Sequence, residues 1–188
     1  MNRMALAVLM SCGIAAATLG EQQPKVNPDA QLLQEFNKGI HAYMELHNRL
    51  EKKAPPLKTT EDPAKIKASQ QSLSAAIKAE RAHAKQGEIF SPEVAALFRR
   101  LMSPEIKGEQ GAQTKKAMKE DAPAPSQVQI KVNATYPEAA PLPSVPPNLL
   151  ASLPKLPEDL EYRVIGQDLI LRDVHANLIV DYLPKAIR

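Results

Sequence analysis

The chain has 188 residues with a formal net charge of +3, one cysteine and no tryptophan. A charge balance this close to neutral, with basic and acidic residues interleaved, argues against a nucleic-acid-binding protein. A single cysteine excludes a disulfide within the chain and a cysteine-rich metal site. Only 4% of the residues are aromatic, so few large side chains are available for a core.

Residues 1–20 have the layout of a secretory signal peptide. Arg3 supplies a positive charge, residues 5–19 form an uncharged apolar run, and small residues precede a cut before Glu21. The run is shorter than the roughly 20 residues that a membrane-spanning helix needs. Cys12 loosely fits a lipoprotein box, but Met10 fits that box poorly. We therefore expect a periplasmic or secreted protein without a membrane span after cleavage, and we favour ordinary cleavage over lipidation of Cys12.

Three helix-start signals, each a capping residue followed by proline, divide residues 21–120. They are Asn27-Pro28, Asp62-Pro63 and Ser91-Pro92. After the first signal, side chains of mostly apolar character recur at steps of three and four, which predicts one buried stripe on a helix that ends near Ala54. That stripe consists of Leu33, Phe36, Ile40, Tyr43, His47 and Leu50.

The next two helices carry shorter apolar stripes. The second stripe consists of Ile66, Leu73, Ile77 and Ala84, with Gly87 as a left-handed C-terminal cap. The third stripe consists of Val94, Leu97, Phe98 and Leu101. A further start signal at Ser103-Pro104-Glu105 predicts a weak fourth helix that runs to about Glu120. The short loop after the first helix favours an antiparallel hairpin, so residues 21–120 are predicted to form a small antiparallel helical bundle.

Residues 121–157 are predicted to be a proline-rich linker. Nine of the 17 prolines lie between Pro123 and Pro157, and such composition favours an extended spacer. Within it, residues 128–136 alternate between apolar and polar side chains, which predicts a short edge strand. Asn148 is expected to cap a single helical turn.

Residues 158–188 are predicted to form a three-stranded antiparallel β-meander. The expected strands are Tyr162–Ile165, Asp168–Asp173 and Leu178–Tyr182. Gly166-Gln167 fits a two-residue turn with glycine first, and Asn177 tolerates the left-handed region in the second turn. The fold class is therefore α+β, with a helical bundle, a proline-rich spacer and a C-terminal meander.

Both faces of this meander are partly apolar. Strict alternation places Leu178, Val180 and Tyr182 on one face and Ile179 on the other. A small meander with two apolar faces needs something to cover it. The helices of the same chain, a second copy or another protein would each serve.

The most patterned stretches are DPAKIKASQQSLSAAIKAERAHAKQGEIFSPEVAALFRRLM, PPNLLASLPKLPEDL and EYRVIGQDLILRDVHANLIVDYLP. Together they resemble a group of uncharacterised exported bacterial proteins, and this resemblance covers most of the mature chain but implies no activity. The last hairpin is LILRDVHANLIVDYL. It is similar to the tail of periplasmic nickel/cobalt-homeostasis proteins, which implies a metal-related function in the periplasm.

The four histidines supply no metal-ligand motif. His41 and His47 are six residues apart, which separates them by about 120° around a helix. Asp173 and His175 flank a turn and could contribute two ligands, but the sequence supplies no third. A partly buried, hydrogen-bonded histidine is the commoner explanation for His47 on an apolar stripe. We therefore predict no metal-binding residues and no bound cofactor.

The sequence also lacks the motifs of nucleophilic and metal-dependent catalysis. It contains no Gly-x-Ser-x-Gly elbow, no His-Glu-x-x-His pair and no glycine-rich phosphate loop. We therefore predict no catalytic residues and a protein that is not an enzyme. The favoured function is an interaction or structural protein of the cell envelope, with the edge of Tyr162–Ile165 or Leu178–Tyr182 accepting a partner or a second copy. The alternative is a periplasmic protein that binds a small ligand or a metal ion.

Overall fold

The computed structural model describes residues 27–54, 62–120, 123 and 127–188. The predicted signal peptide and the loop 55–61 lie outside the described residues. In the described part the helices precede a three-stranded sheet. The elements are α1 (Pro28–Glu51), α2 (Pro63–Glu80), α3 (Pro92–Lys107), α4 (Gly111–Glu120), α5 (Pro147–Ala151), β1 (Leu160–Ile165), β2 (Asp168–Asp173) and β3 (Leu178–Leu183). The chain is an α+β protein with a C-terminal β-meander, as predicted.

The first three helices begin at the predicted signals. The side chains of Asn27, Asp62 and Ser91 each accept a hydrogen bond from a main-chain N–H of the first turn. A proline follows each cap, where its missing N–H leaves no donor unsatisfied. These three starts are therefore confirmed.

The helical core is centred on α1, which packs against α2 and α3. Phe36 is fully buried, and its ring centroid lies 5.9 Å from that of Phe90 and 4.8 Å from that of Phe98. All members of the predicted α1 stripe are buried except Leu33, which is half-buried. The C-terminal ends of α1 and α2 lie side by side, as the hydrogen bonds from Arg49 to Glu80 at 2.9 Å show. In a simple antiparallel hairpin, the end of α1 would instead adjoin the start of α2.

We expect Phe36→Ala to lower the free energy of unfolding by about 3 kcal/mol or more, because it leaves a cavity among packed aromatic rings. Urea denaturation of the purified protein measures this loss. Lys38→Ala, at an exposed position of the same helix, is the control and should change stability by less than about 0.5 kcal/mol. Equal losses in the two variants would contradict the packing of Phe36 in the core.

The prediction for the end of the second helix was wrong. α2 stops at Glu80, so Ala84 lies beyond it, and Ile66 near its start is 42% exposed. Gly87 does have a positive φ of 92°, but it belongs to the loop before α3. The main-chain N–H of Gly87 donates to the side chain of Asp181 on β3. Past Glu80 the chain turns, with the N–H of Ala84 bonded to the carbonyl of Arg81, so Gly87 does not cap α2.

The prediction of a new helix at Ser103-Pro104-Glu105 was also wrong. α3 continues through Pro104 to Lys107, and α4 begins only at Gly111. A proline inside a helix removes one hydrogen bond and crowds the preceding turn. Met102 and Ile106 are nevertheless buried on the two sides of Pro104, and their burial favours continuation of the helix.

The sheet has the strand order β1-β2-β3 with antiparallel neighbours. On one face, side chains such as Leu169, Leu171 and Val180 join the helical core. The other face forms a second cluster, which consists of Ile165, Ile170 and Ile179 with Val128 and Tyr136 from the segment before the sheet. Both apolar faces of the meander are therefore covered within the chain.

The predicted edge strand over residues 128–136 is reduced to a single bridge between Thr135 and Leu178. Asn133 has a φ of 63°, which interrupts extended backbone. The segment is nevertheless tied to β3, since Asn133 N–H donates to the carbonyl of Ile179 and the N–H of Ile179 donates to Ala134.

The prediction that Tyr182 shares a sheet face with Leu178 and Val180 was wrong. Leu171 pairs with Asp181, whereas the next residue, Arg172, pairs with Ile179, so β3 contains an extra residue at this point. Such a bulge shifts the alternation of the side chains that follow it. Tyr182 consequently packs in the second cluster, and Leu183 joins the helical core.

Candidate metal centre

The C-terminal end of α1, the residue before β1 and the turn between β2 and β3 meet at one place. α1 contributes His47 and Glu51, the approach to β1 contributes Asp159, and the β2–β3 turn contributes His175. His47, Asp159 and His175 each offer a ligand atom, and these atoms all lie within 4.8 Å of one another. Imidazole nitrogens and a carboxylate oxygen are ligands that transition metals accept.

One ring nitrogen of His47 is held by a buried carboxylate. The Nδ1 of His47 lies 2.6 Å from Oδ2 of Asp173, and both side chains are fully buried. The hydroxyl of Tyr43 donates to the same oxygen at 2.6 Å. A carboxylate beside Nδ1 keeps the proton on that nitrogen, which leaves Nε2 as the lone-pair atom of the neutral ring. Asp173 therefore sets the orientation and the tautomer of His47.

The orientation of Asp173 is fixed in turn by the β2–β3 turn. Its Oδ1 accepts the main-chain N–H of Ala176 at 2.7 Å, a contact that an aspartate commonly makes with the backbone of a tight turn. One carboxylate thus serves the turn through one oxygen and the His47–Tyr43 pair through the other. Asp173 is therefore not one of the clustered ligands, and it acts by fixing the position of the His47 ring.

The second nitrogen of His47 is left for a ligand. Among the described residues, Nε2 of His47 is a buried side-chain atom without a hydrogen-bond partner. The nearest carboxylate oxygen across from it is Oε2 of Glu51, at 3.7 Å. A buried polar atom without a partner costs about 1–3 kcal/mol, so Nε2 of His47 is a candidate ligand atom.

His175 stands at the solvent side of the cluster. Its Nδ1 lies 3.0 Å from Oε1 of Glu51 and 3.4 Å from Oδ1 of Asp159. Its side chain is 44% exposed, and its ring centroid is 6.0 Å from that of His47. An ion could therefore enter past His175 to reach the buried nitrogen.

The electrostatics of the cluster favour a positive charge. Burial lowers the pKa of His47, but the hydrogen bond to Asp173 and the charges of Asp173, Glu51 and Asp159 outweigh it, so the pKa is raised. Burial raises the pKa of the Tyr43 hydroxyl, and the charge of Asp173 raises it further. Tyr43 is thus a permanent donor, and the carboxylates stabilise a cation at Nε2, whether a proton or a metal ion.

The structure brings together residues that the sequence left apart. His41 is exposed on α1 beside Glu45, and His83 is exposed in the loop after α2. Of the pair Asp173 and His175, only His175 faces the ligand cluster. The missing third ligand comes from parts of the chain that no local spacing connects to the turn.

One local signal was available in the sequence. His47 and Glu51 are four residues apart on α1, a spacing that places two side chains on the same helix face. Asp159 gave no such signal, because its role depends on the position of β1 beside the end of α1.

No family model, curated protein or solved structure matches the chain. The function is therefore argued from the geometry of the site. None of the helices in the described ranges is long and apolar enough to cross a membrane.

Proposed function

We propose that the chain is a periplasmic protein that binds a divalent transition-metal ion through His47, Asp159 and His175. The observation that carries this proposal is the buried, unpartnered Nε2 of His47. Its other nitrogen is hydrogen-bonded to Asp173, and a histidine oriented by a carboxylate is typical of metal ligands.

The ligand chemistry supports a transition metal over calcium or magnesium. Calcium and magnesium prefer sites built from oxygen atoms, whereas two imidazoles with one carboxylate suit zinc, copper, nickel or cobalt. The periplasmic location rests on the predicted signal peptide. A periplasmic location also fits the likeness of the last hairpin to nickel/cobalt-homeostasis proteins.

Titration of the metal-free protein with Zn²⁺ tests the proposal, with calorimetry and thermal unfolding as the two measurements. We expect one ion per chain and a rise in melting temperature, since an ion at 100 times its dissociation constant adds about 2.7 kcal/mol of stability. His175→Ala should abolish this rise, and it is preferred to a His47 variant because His175 is half-exposed.

His83→Ala is the matched control, because His83 is an exposed histidine outside the cluster. It should bind Zn²⁺ as the unaltered protein does. The proposal fails if the unaltered protein binds no Zn²⁺, or if His175→Ala and His83→Ala bind it equally well.

The envelope interaction function remains a second proposal, supported by the edge of the sheet. In the described residues, β1 has a neighbouring strand only on its β2 side, and its residues line a cleft of about 460 Å³. Leu150, which is 47% exposed, belongs to the same cleft. By contrast, the outer edge of β3 is bonded to residues 133–136. A partner strand would therefore add to β1.

A further inference from the structure

We infer that Glu51 is the fourth ligand of this site, which makes it a closed, four-coordinate site for Zn²⁺. The inference rests on the proposed function and deepens it, because it names the metal and the coordination. Glu51 is the last residue of α1. Its carboxylate is half-buried and faces both histidines at once.

Three of the distances between the side chains are close to those between the ligand atoms of a tetrahedral ion. With metal–ligand bonds of about 2.0–2.1 Å, neighbouring ligand atoms of a tetrahedral site lie about 3.3–3.4 Å apart. Oε1 of Glu51 lies 3.0 Å from Nδ1 of His175, which is also 3.4 Å from Oδ1 of Asp159. Oε2 of Glu51 lies 3.7 Å from Nε2 of His47. These separations lie near the tetrahedral value, but they involve both oxygens of Glu51, so its carboxylate must rotate to present a single oxygen to the ion.

The charges of the four ligands also match a divalent ion. Glu51 and Asp159 carry two negative charges, and the two histidines bind as neutral rings. The ion and its ligands are then neutral together, which limits the cost of placing charge beside the fully buried His47. Two nitrogens and two oxygens in tetrahedral geometry favour zinc, because Ni²⁺ and Cu²⁺ prefer tetragonal or square-planar sites.

Four protein ligands leave no position for a substrate or a reactive water. Closed sites of this kind hold the ion for structure or storage, whereas catalytic zinc sites keep one position open. An ion bound to Glu51, His47, Asp159 and His175 also links the end of α1 to the start of β1 and to the β2–β3 turn. The bound ion would thus connect the helical part of the fold to the meander.

Glu51→Gln is the decisive variant, with Zn²⁺ and Co²⁺ as the probes. We expect its affinity for Zn²⁺ to fall at least tenfold. Four-coordinate Co²⁺ absorbs visible light strongly, and five- or six-coordinate Co²⁺ absorbs weakly. Co²⁺ bound to the unaltered protein should therefore show the strong bands, and these bands should shift in Glu51→Gln, where water or the amide oxygen replaces the carboxylate as a ligand. Glu45→Gln, at an exposed position six residues earlier on α1, is the control and should change neither property.

The outcomes separate this inference from the proposed function. If Glu51→Gln binds Zn²⁺ as tightly as the unaltered protein and leaves the Co²⁺ spectrum unchanged, while His175→Ala does not bind, then Glu51 is no ligand and the three-ligand site stands. Weak Co²⁺ bands in the unaltered protein would likewise overturn the four-coordinate site alone. If the unaltered protein binds neither ion, both the inference and the proposed function are overturned.

Discussion

Replacing Asp173 with asparagine should lower the affinity for Zn²⁺ by roughly 10- to 100-fold, although Asp173 is not itself a ligand. The reason is that the substitution changes which ring nitrogen of His47 carries the proton. The oxygen of the new amide must face the N–H of Ala176, which donates to this side chain at 2.7 Å. The amide NH₂ then faces Nδ1 of His47, where a carboxylate oxygen lies 2.6 Å away in the unaltered protein.

That exchange reverses the tautomer of His47. Facing a donor, Nδ1 becomes the lone-pair atom and the proton moves to Nε2, the nitrogen that the metal requires. Calorimetric titration measures the affinity, and the ¹⁵N chemical shifts of the ring report which nitrogen is protonated. We expect both to change in Asp173→Asn while its circular dichroism stays that of the folded protein.

Two controls separate the tautomer from general damage. Asp168→Asn alters another aspartate of β2, which accepts the N–H of Lys185 at an exposed position, and it should bind Zn²⁺ normally. Tyr43→Phe removes only the hydroxyl bond to Asp173 and should preserve the tautomer of His47. If Asp173→Asn keeps the affinity of the unaltered protein, the role given to Asp173 is wrong.

The helix starts and the meander could be predicted because their signals are local. A capping side chain acts on N–H groups two or three residues away, and Asp168–Asp173 was predicted with both of its observed ends. Turn residues such as Gly166 and Asn177 have the positive φ angles that their types favour. Short-range rules therefore describe most of the secondary structure.

The remaining features depend on contacts that the sequence does not display. The bond from His47 to Asp173 joins residues 126 positions apart, and no spacing rule reaches that far. The bulge in β3 lies next to Asp181, whose side chain contacts the loop before α3, and no local pattern marked it, so simple alternation placed Tyr182 on the wrong face. The sequence predicted no metal ligands and indicated a core role for His47, so the candidate site could not be assembled before the fold was known.

We expect a larger loss of stability from substitution of Asp181, the residue next to the bulge in β3, than from Phe36→Ala. Asp181 is fully buried and faces the helical side of the sheet. Its Oδ1 accepts the N–H of Gly87 at 2.9 Å, and its Oδ2 accepts the N–H groups of Ile89 and Phe90 at 2.8 and 2.9 Å. One carboxylate therefore holds the whole loop that leads into α3.

Asp181→Ala should lower the free energy of unfolding by about 4 kcal/mol or more, because each buried N–H left without an acceptor costs about 1–3 kcal/mol. Urea denaturation measures the loss, and Asp168→Ala, which removes a single exposed acceptor, should cost less than about 1 kcal/mol. Asp181→Asn should lie between them, since its one oxygen can still accept a bond while its NH₂ faces a second donor. If Asp181→Ala is no less stable than Asp168→Ala, water replaces the lost carboxylate and the loop does not depend on Asp181.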